Sequence, residues 1–142
     1  MTGGSRFSPR ARDESGVSAV EFAFIAPAFI FLIFFAIQGA LFFYGRSVAI
    51  QSAREGVSQL RLAQDQATYD DIRAGVKDNT ERFATAVGRE ALIDPLATPS
   101  YDDNLGRVRM KVQGRVITLL PWLHLSVTEE AEGPVERFEV AP

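Results

Sequence analysis

From Phe22 to Gly45 the chain runs 24 residues without an Asp, Glu, Lys, Arg or His. Wound as an α-helix, this stretch is about 36 Å long at roughly 1.5 Å per residue. A hydrocarbon core of about 30 Å needs roughly 20 apolar residues. The run therefore suffices to span a bilayer with some tilt. A soluble helix of this length would carry a polar face, and this one is apolar all round. Gln38 is its only strongly polar side chain. A removable secretory signal has a shorter apolar stretch, of roughly 7–15 residues, closed by small residues. This one closes in Leu41-Phe42-Phe43-Tyr44, and Arg46 follows. Phe43 and Tyr44 sit where an interfacial belt would lie. The sequence thus predicts a retained membrane helix.

The remainder limits what else the chain can be. Residues 1–16 form a short basic leader, 17–45 the transmembrane helix, and 46–142 one extracytoplasmic domain with a modest core. There is no cysteine, which excludes thiol catalysis, thiolate metal sites and disulfide reinforcement. A net charge of −3 argues against nucleic acid as a partner by bulk charge. The leader lacks apolar periodicity and reads as disordered. Arg6, Arg10 and Arg12 flank the span on one side, and Arg46, Arg54 and Arg61 on the other, so charge does not orient it. Size does: the tail is short and long domains cross largely regardless of charge, which puts the N-terminus in the cytoplasm.

Beyond the span, Ile50, Ala53, Val57 and Leu60 recur on one helical face. One long helix from about Ser18 to Gln64 is the simplest reading, apolar first and amphipathic after, weakened at Gly56. A second helix should start near Thr68 as N-cap, with Asp70 and Asp71 in its first turn, and end before Pro95. Ile72, Val76, Phe83 and Val87 mark its buried side. The turn-rich "LIDPLATPSYDDNLG" reads as a loop. In "RVRMKVQG", Val108, Met110 and Val112 alternate with Arg107, Arg109, Lys111 and Gln113, a half-buried strand, with an extension over Val116–Leu120 past a bulge at Gly114. Leu123, Leu125 and Val127 alternate with His124, Ser126 and Thr128, and "VERFEV" (Val135–Val140) is a third candidate strand. The expected fold class is an α+β membrane protein: a long N-terminal transmembrane helix continuing into an amphipathic helix, a second helix, and a small antiparallel sheet.

Few constellations point to chemistry. His124, the only histidine, has no second histidine to build a usual zinc site, and reads as a solvated strand residue. Asp102, Asp103 and Asn104 lack the ligand spacing of a calcium loop and read as a turn. Glu129, Glu130 and Glu132 read as a solvated strand end. Trp122, after Pro121, reads as buried at a strand corner, with a contact surface as the alternative. Ala36 and Ala40 form a small-xxx-small pair of a kind that supports helix association and is also common by chance. No phosphate loop and no nucleophile–base pair is present; the expectation is no enzyme, no cofactor and no metal.

Glu21 resists a bland reading. A carboxylate at the centre of a membrane helix costs about 2.5–3.5 kcal/mol on insertion scales, and less one turn in, where it can reach the interface. Gly16 precedes it by five residues at the junction of basic leader and apolar run. Here Gly16, then Ser18-Ala19-Val20-Glu21-Phe22-Ala23, Pro27 within the apolar run, the aromatic end and "QSAREGV" (Gln51–Val57) resemble the N-terminal region of TadE-like proteins. These are minor pilins, or pseudopilins, of the tight-adherence (Tad/Flp) pilus. The resemblance covers about 45 residues; the C-terminal domain matches only loosely.

The resemblance implies cleavage by a prepilin peptidase after Gly16, leaving Val17 as the new N-terminus. Glycine suits a bond that an enzyme must hold extended. Cleavage would expose an α-amine one helical turn from Glu21, and the two could pair within the chain or between neighbours. Pro27 removes a backbone hydrogen bond and should kink the helix, which lipid tolerates where neighbours satisfy the freed group. The implied function is pilus assembly or adhesion. The implied partners are the prepilin peptidase, other Tad pilins, the assembly platform and cytoplasmic membrane lipid. The implied location is the cytoplasmic membrane, with passage into a surface pilus left open. The alternative is an uncleaved, signal-anchored membrane protein with an extracytoplasmic binding or scaffolding domain.

Overall fold

The computed structural model describes residues 14–136. The chain divides into two compact units, residues 1–36 and 37–142, and helix α1 (Glu14–Leu60) contributes to both. In the first unit, Phe22, Phe24, Phe29, Phe31 and Phe35 are all exposed, as befits a helix with no polar face to turn outward. The helix continues through Pro27.

The second unit is built on the other half of α1. Val48, Ala49, Ser52, Ala53, Gly56, Val57 and Leu60 form one buried stripe. The helix stops at Leu60, four residues before the expected end. There Leu62 N–H donates to Gln59 O and Ala63 N–H to Leu60 O, which tightens the last turn and buries Ala63.

Helix α2 (Gln66–Gly88) follows. Its N-cap is Asp65, not Thr68: the Asp65 carboxylate accepts the Thr68 N–H at 2.8 Å. That hydrogen bond holds the Asp65 carboxyl below its usual range. The buried face also differs from the expected one. It comprises Tyr69, Val76, Thr80, Ala84 and Gly88, with Ile72 and Val87 at its margin and Phe83 38% exposed. The reason is close approach: small Thr80 lies where α2 meets α1 and the sheet, and Phe83 would not fit there.

The sheet has three antiparallel strands in the order β1-β2-β3: β1 (Leu92–Asp102), β2 (Arg107–Val116) and β3 (Leu125–Pro134). β1 corrects the reading of this turn-rich stretch as a loop. The strand is at the sheet edge, where proline's missing donor does no harm. Ala97 N–H points away from β2, to Glu81 of α2, and Pro99 shares that direction two residues on. The register shifts between Ile93 and Leu96, so the irregularity lies at Asp94-Pro95. Asp94 takes a positive φ of 49°, a conformation its short polar side chain tolerates.

β2 shows the expected alternation, with Val108, Met110, Val112 and Val116 buried. It runs through Gly114 to Val116 without a bulge, opposite Val127. It does not extend to Leu120. Between β1 and β2 the chain turns at 103–106, where Gly106 has φ 58°. β3 is the third strand, and it includes the acidic stretch. Of "VERFEV", residues 137–140 lie outside the described residues, and Val135 and Glu136 follow β3 without being part of a strand.

The acidic stretch is not simply a solvated end. Glu129 is on the helix-facing side of β3 and pairs with Arg46 of α1. Glu130 and Glu132 face outward, where they form a cross-strand ladder with Arg109 and Arg107.

Candidate assembly segment and interfacial loop

The motif residues occupy the start of α1. Gly16 and Val17 have helical backbone in its first turn. First turns fray readily, because their N–H groups lack intrahelical partners. Glu21 follows Val17 by four residues on the same helix, which puts them one turn apart. Its side chain is exposed. Pro27 lies well inside the helix. The helix has one candidate membrane span, and the most apolar window of that span has no buried residue. A single N-terminal apolar helix of this kind fits a single-pass membrane protein.

Gln38 has a role that the sequence did not reveal. It is 9% exposed, and both ends of its amide are engaged. Its Nε2 donates to Ile117 O at 3.2 Å, and its Oε1 accepts the Leu119 N–H at 2.9 Å. Gln38 thus clamps the loop 117–124 to α1. A lone amide in an apolar run was the available signal, but its partner is 79 residues away. The loop is closed on itself: Thr118 Oγ1 donates toward Leu120 O and Leu123 O, and Leu123 N–H donates to Leu120 O.

Trp122 corrects another expectation. It is not buried at a corner but 74% exposed at the tip of this loop, and Leu119 is also exposed. His124 is exposed, as expected, though it precedes β3 rather than belonging to it. Asp102, Asp103 and Asn104 enter the β1–β2 turn as expected, with Asp102 Oδ1 accepting the Leu105 N–H at 3.1 Å. Among the described residues, no group of three His, Cys, Asp or Glu stands close enough to hold a metal ion.

One charged group links helix to sheet. Glu81 of α2 accepts the Ala97 N–H at 3.0 Å and pairs with Lys77 at 2.8 Å. Partial burial raises the Glu81 carboxyl, but the hydrogen bonds from Lys77 and Ala97 outweigh it, and the net shift is downward. The same contact raises Lys77. Tyr69 stacks on Tyr101 with ring centroids 5.4 Å apart, and its burial pushes the phenol up.

Comparison with known proteins finds one likeness. Residues 16–58 match the family model described as TadE-like protein, which is under a third of the chain. No curated protein and no solved structure matches. The match begins at Gly16, takes in Glu21 and Pro27, and ends two residues short of the end of α1. The chain carries a TadE-like N-terminal segment.

Proposed function

We propose that the chain is a minor pilin, or pseudopilin, of a Tad/Flp-type pilus, acting in pilus assembly or adhesion. A prepilin peptidase cuts after Gly16 and frees the Val17 amine. The subunit is held in the cytoplasmic membrane by α1, with its N-terminus cytoplasmic and its α+β domain outside, until it enters an assembly with other Tad pilins on their platform. One observation carries this reading: the TadE-like match starts at Gly16, the residue five before Glu21, the only carboxylate from Val17 to Gly45. The helical first turn would be unwound by the peptidase before cutting, at a small cost for a frayed end.

The amine and Glu21 then have a shared purpose. Burying either alone in an apolar layer is unfavourable, and pairing them offsets much of that. The pairing is within one chain or between neighbours.

The N-terminus of the chain tests the reading. Purified from cells that contain the peptidase, the protein should begin at Val17 by mass spectrometry. Gly16→Leu should leave it in the membrane but uncut. A wild-type chain that keeps its leader is an anchored scaffold rather than a pilin. A Gly16→Leu chain that still begins at Val17 overturns the assignment of the cleavage site.

A further inference from the structure

We propose that the loop 117–124 is a membrane-interface anchor, which inserts Leu119 and Trp122 among lipid headgroups and upper acyl chains on the extracytoplasmic side.

The apolar stretch 17–37, broken only by Ser18 and Glu21, measures about 32 Å as a helix at about 1.5 Å per residue, and from position 19 onward it is almost uniformly exposed. That nearly matches a hydrocarbon core of about 30 Å. Position 38 then falls at the interface, and at this position the protein's own chain begins to cover the helix. Gln38 is buried by its clamp on Ile117 and Leu119, and Leu41 and Phe42 pack at the margin of the core. The bilayer-embedded part is therefore shorter than the apolar run, and residues 38–45 are shared between protein and interface. Arg46 comes eight residues after Gln38, about 12 Å further along the helix, in the zone of water and headgroups.

The loop has the chemistry of this zone. From Val116 to Thr128 there is no Asp, Glu, Lys or Arg. Its exposed side chains are Leu119, Pro121, Trp122 and, at its end, His124; the indole's apolar body and N–H donor suit the boundary of lipid and water. In water, exposed Leu119 and Trp122 would be unfavourable. The internal hydrogen bonds from Thr118 and Leu123 hold the loop in shape beforehand, so little ordering is lost on insertion. The occupant of this apolar tip is lipid, because Gln38, to which the loop is clamped, directly follows the apolar run in the sequence.

Trp122 is the only tryptophan, so the intrinsic fluorescence of the full chain reports on this loop alone. The chain is reconstituted into vesicles of phosphatidylethanolamine and phosphatidylglycerol, with added phosphatidylcholine brominated at upper or lower acyl positions. The emission should be blue-shifted, should lose most of its intensity to upper-chain bromine and less to lower-chain bromine, and should resist aqueous iodide. Gln38→Leu, which releases the clamp, should weaken the bromine quenching. Strong iodide quenching without a bromine effect overturns the proposal. So does a blue shift that ignores bromine and fades as the protein is diluted in lipid, which would mean a second copy covers the tip. Flotation of the vesicles checks insertion, and a chain that does not co-float also overturns it. Cleavage at Gly16 has no bearing on the readout, so the two proposals fail separately.

Discussion

Gly56 of α1 lies against Met110 of β2 so closely that a Cβ at Gly56 would stand 2.9 Å from Met110 Cγ and 2.7 Å from Thr80 Oγ1. Helix propensity alone favours alanine over glycine by about 1 kcal/mol. Here the three-way contact dominates, since overpacking a filled core costs about 1–3 kcal/mol. Gly56→Ala should lower the melting temperature of the full chain in detergent micelles, followed by circular dichroism. Gly75→Ala in α2, with nothing within 4 Å, should raise it. A gain at both positions would show that the contact at Gly56 yields without cost.

Val112 is fully buried in β2, beside Met110 and Val108. Val112→Asp buries a carboxylate with no partner and should unfold the domain or cost it several kcal/mol, on the order of 3–5. Arg109→Asp, on the outer face, removes the pairs to Glu130 and Glu132 and sets like charges together. Exposed pairs of this kind are worth about 0.2–1 kcal/mol. Equal melting temperatures for the two variants would contradict the strand register.

How much of this was legible beforehand depended on the range of the cause. β2 could be read because alternation needs only neighbours in sequence, and α1 because its apolar stripe does too. β1 is masked by its turn-forming residues, and the harmlessness of Pro95 and Pro99 among them depends on which edge of the sheet they face. By period Phe83 belongs to the core, whereas closeness between α2 and α1 selects Thr80 and Ala84. Gly56 read as a weak point, since Met110 is far along the chain. In the motif, Gly16, Glu21 and Pro27 stood out as types of residue foreign to their surroundings; the clamp by Gln38 did not, because its partners are backbone groups, which carry no signature in sequence.

Acid should loosen the link between α2 and β1. The Glu81 carboxyl has a lowered pKa in the folded chain, against an ordinary value of 4.5. A depressed carboxyl contributes stability that is present above its unfolded pKa and is lost as pH falls through the folded one. Stability should therefore decline below about pH 4.5, with Asp65 contributing in the same direction. Glu81→Ala should flatten part of that decline and, at neutral pH, cost about 1–2 kcal/mol, because Ala97 N–H loses its acceptor. An unchanged acid profile in the variant would remove Glu81 from the account.

Glu21→Gln keeps the size of the side chain and removes its charge. Membrane insertion should be unharmed, since the helix becomes easier to bury. Cleavage should persist, as the bond cut lies beyond Val17. On the proposed pilin reading, assembly should fail, because the amine that cleavage frees would be left without its counter-ion. A loss of about 1.4 kcal/mol per contact already lowers an association constant about tenfold. Recovery of cross-linked complexes with other pilins measures this; wild-type recovery from a processed Glu21→Gln chain would reduce Glu21 to a boundary residue.

The continuity of α1 also has a mechanical consequence. Val48, Ala53, Val57 and Leu60 are at once part of the helix that carries the apolar run and part of the folded core. A force that draws on this stretch of α1 is borne by its packing against α2 and β2, and the domain must resist it or come apart as a whole.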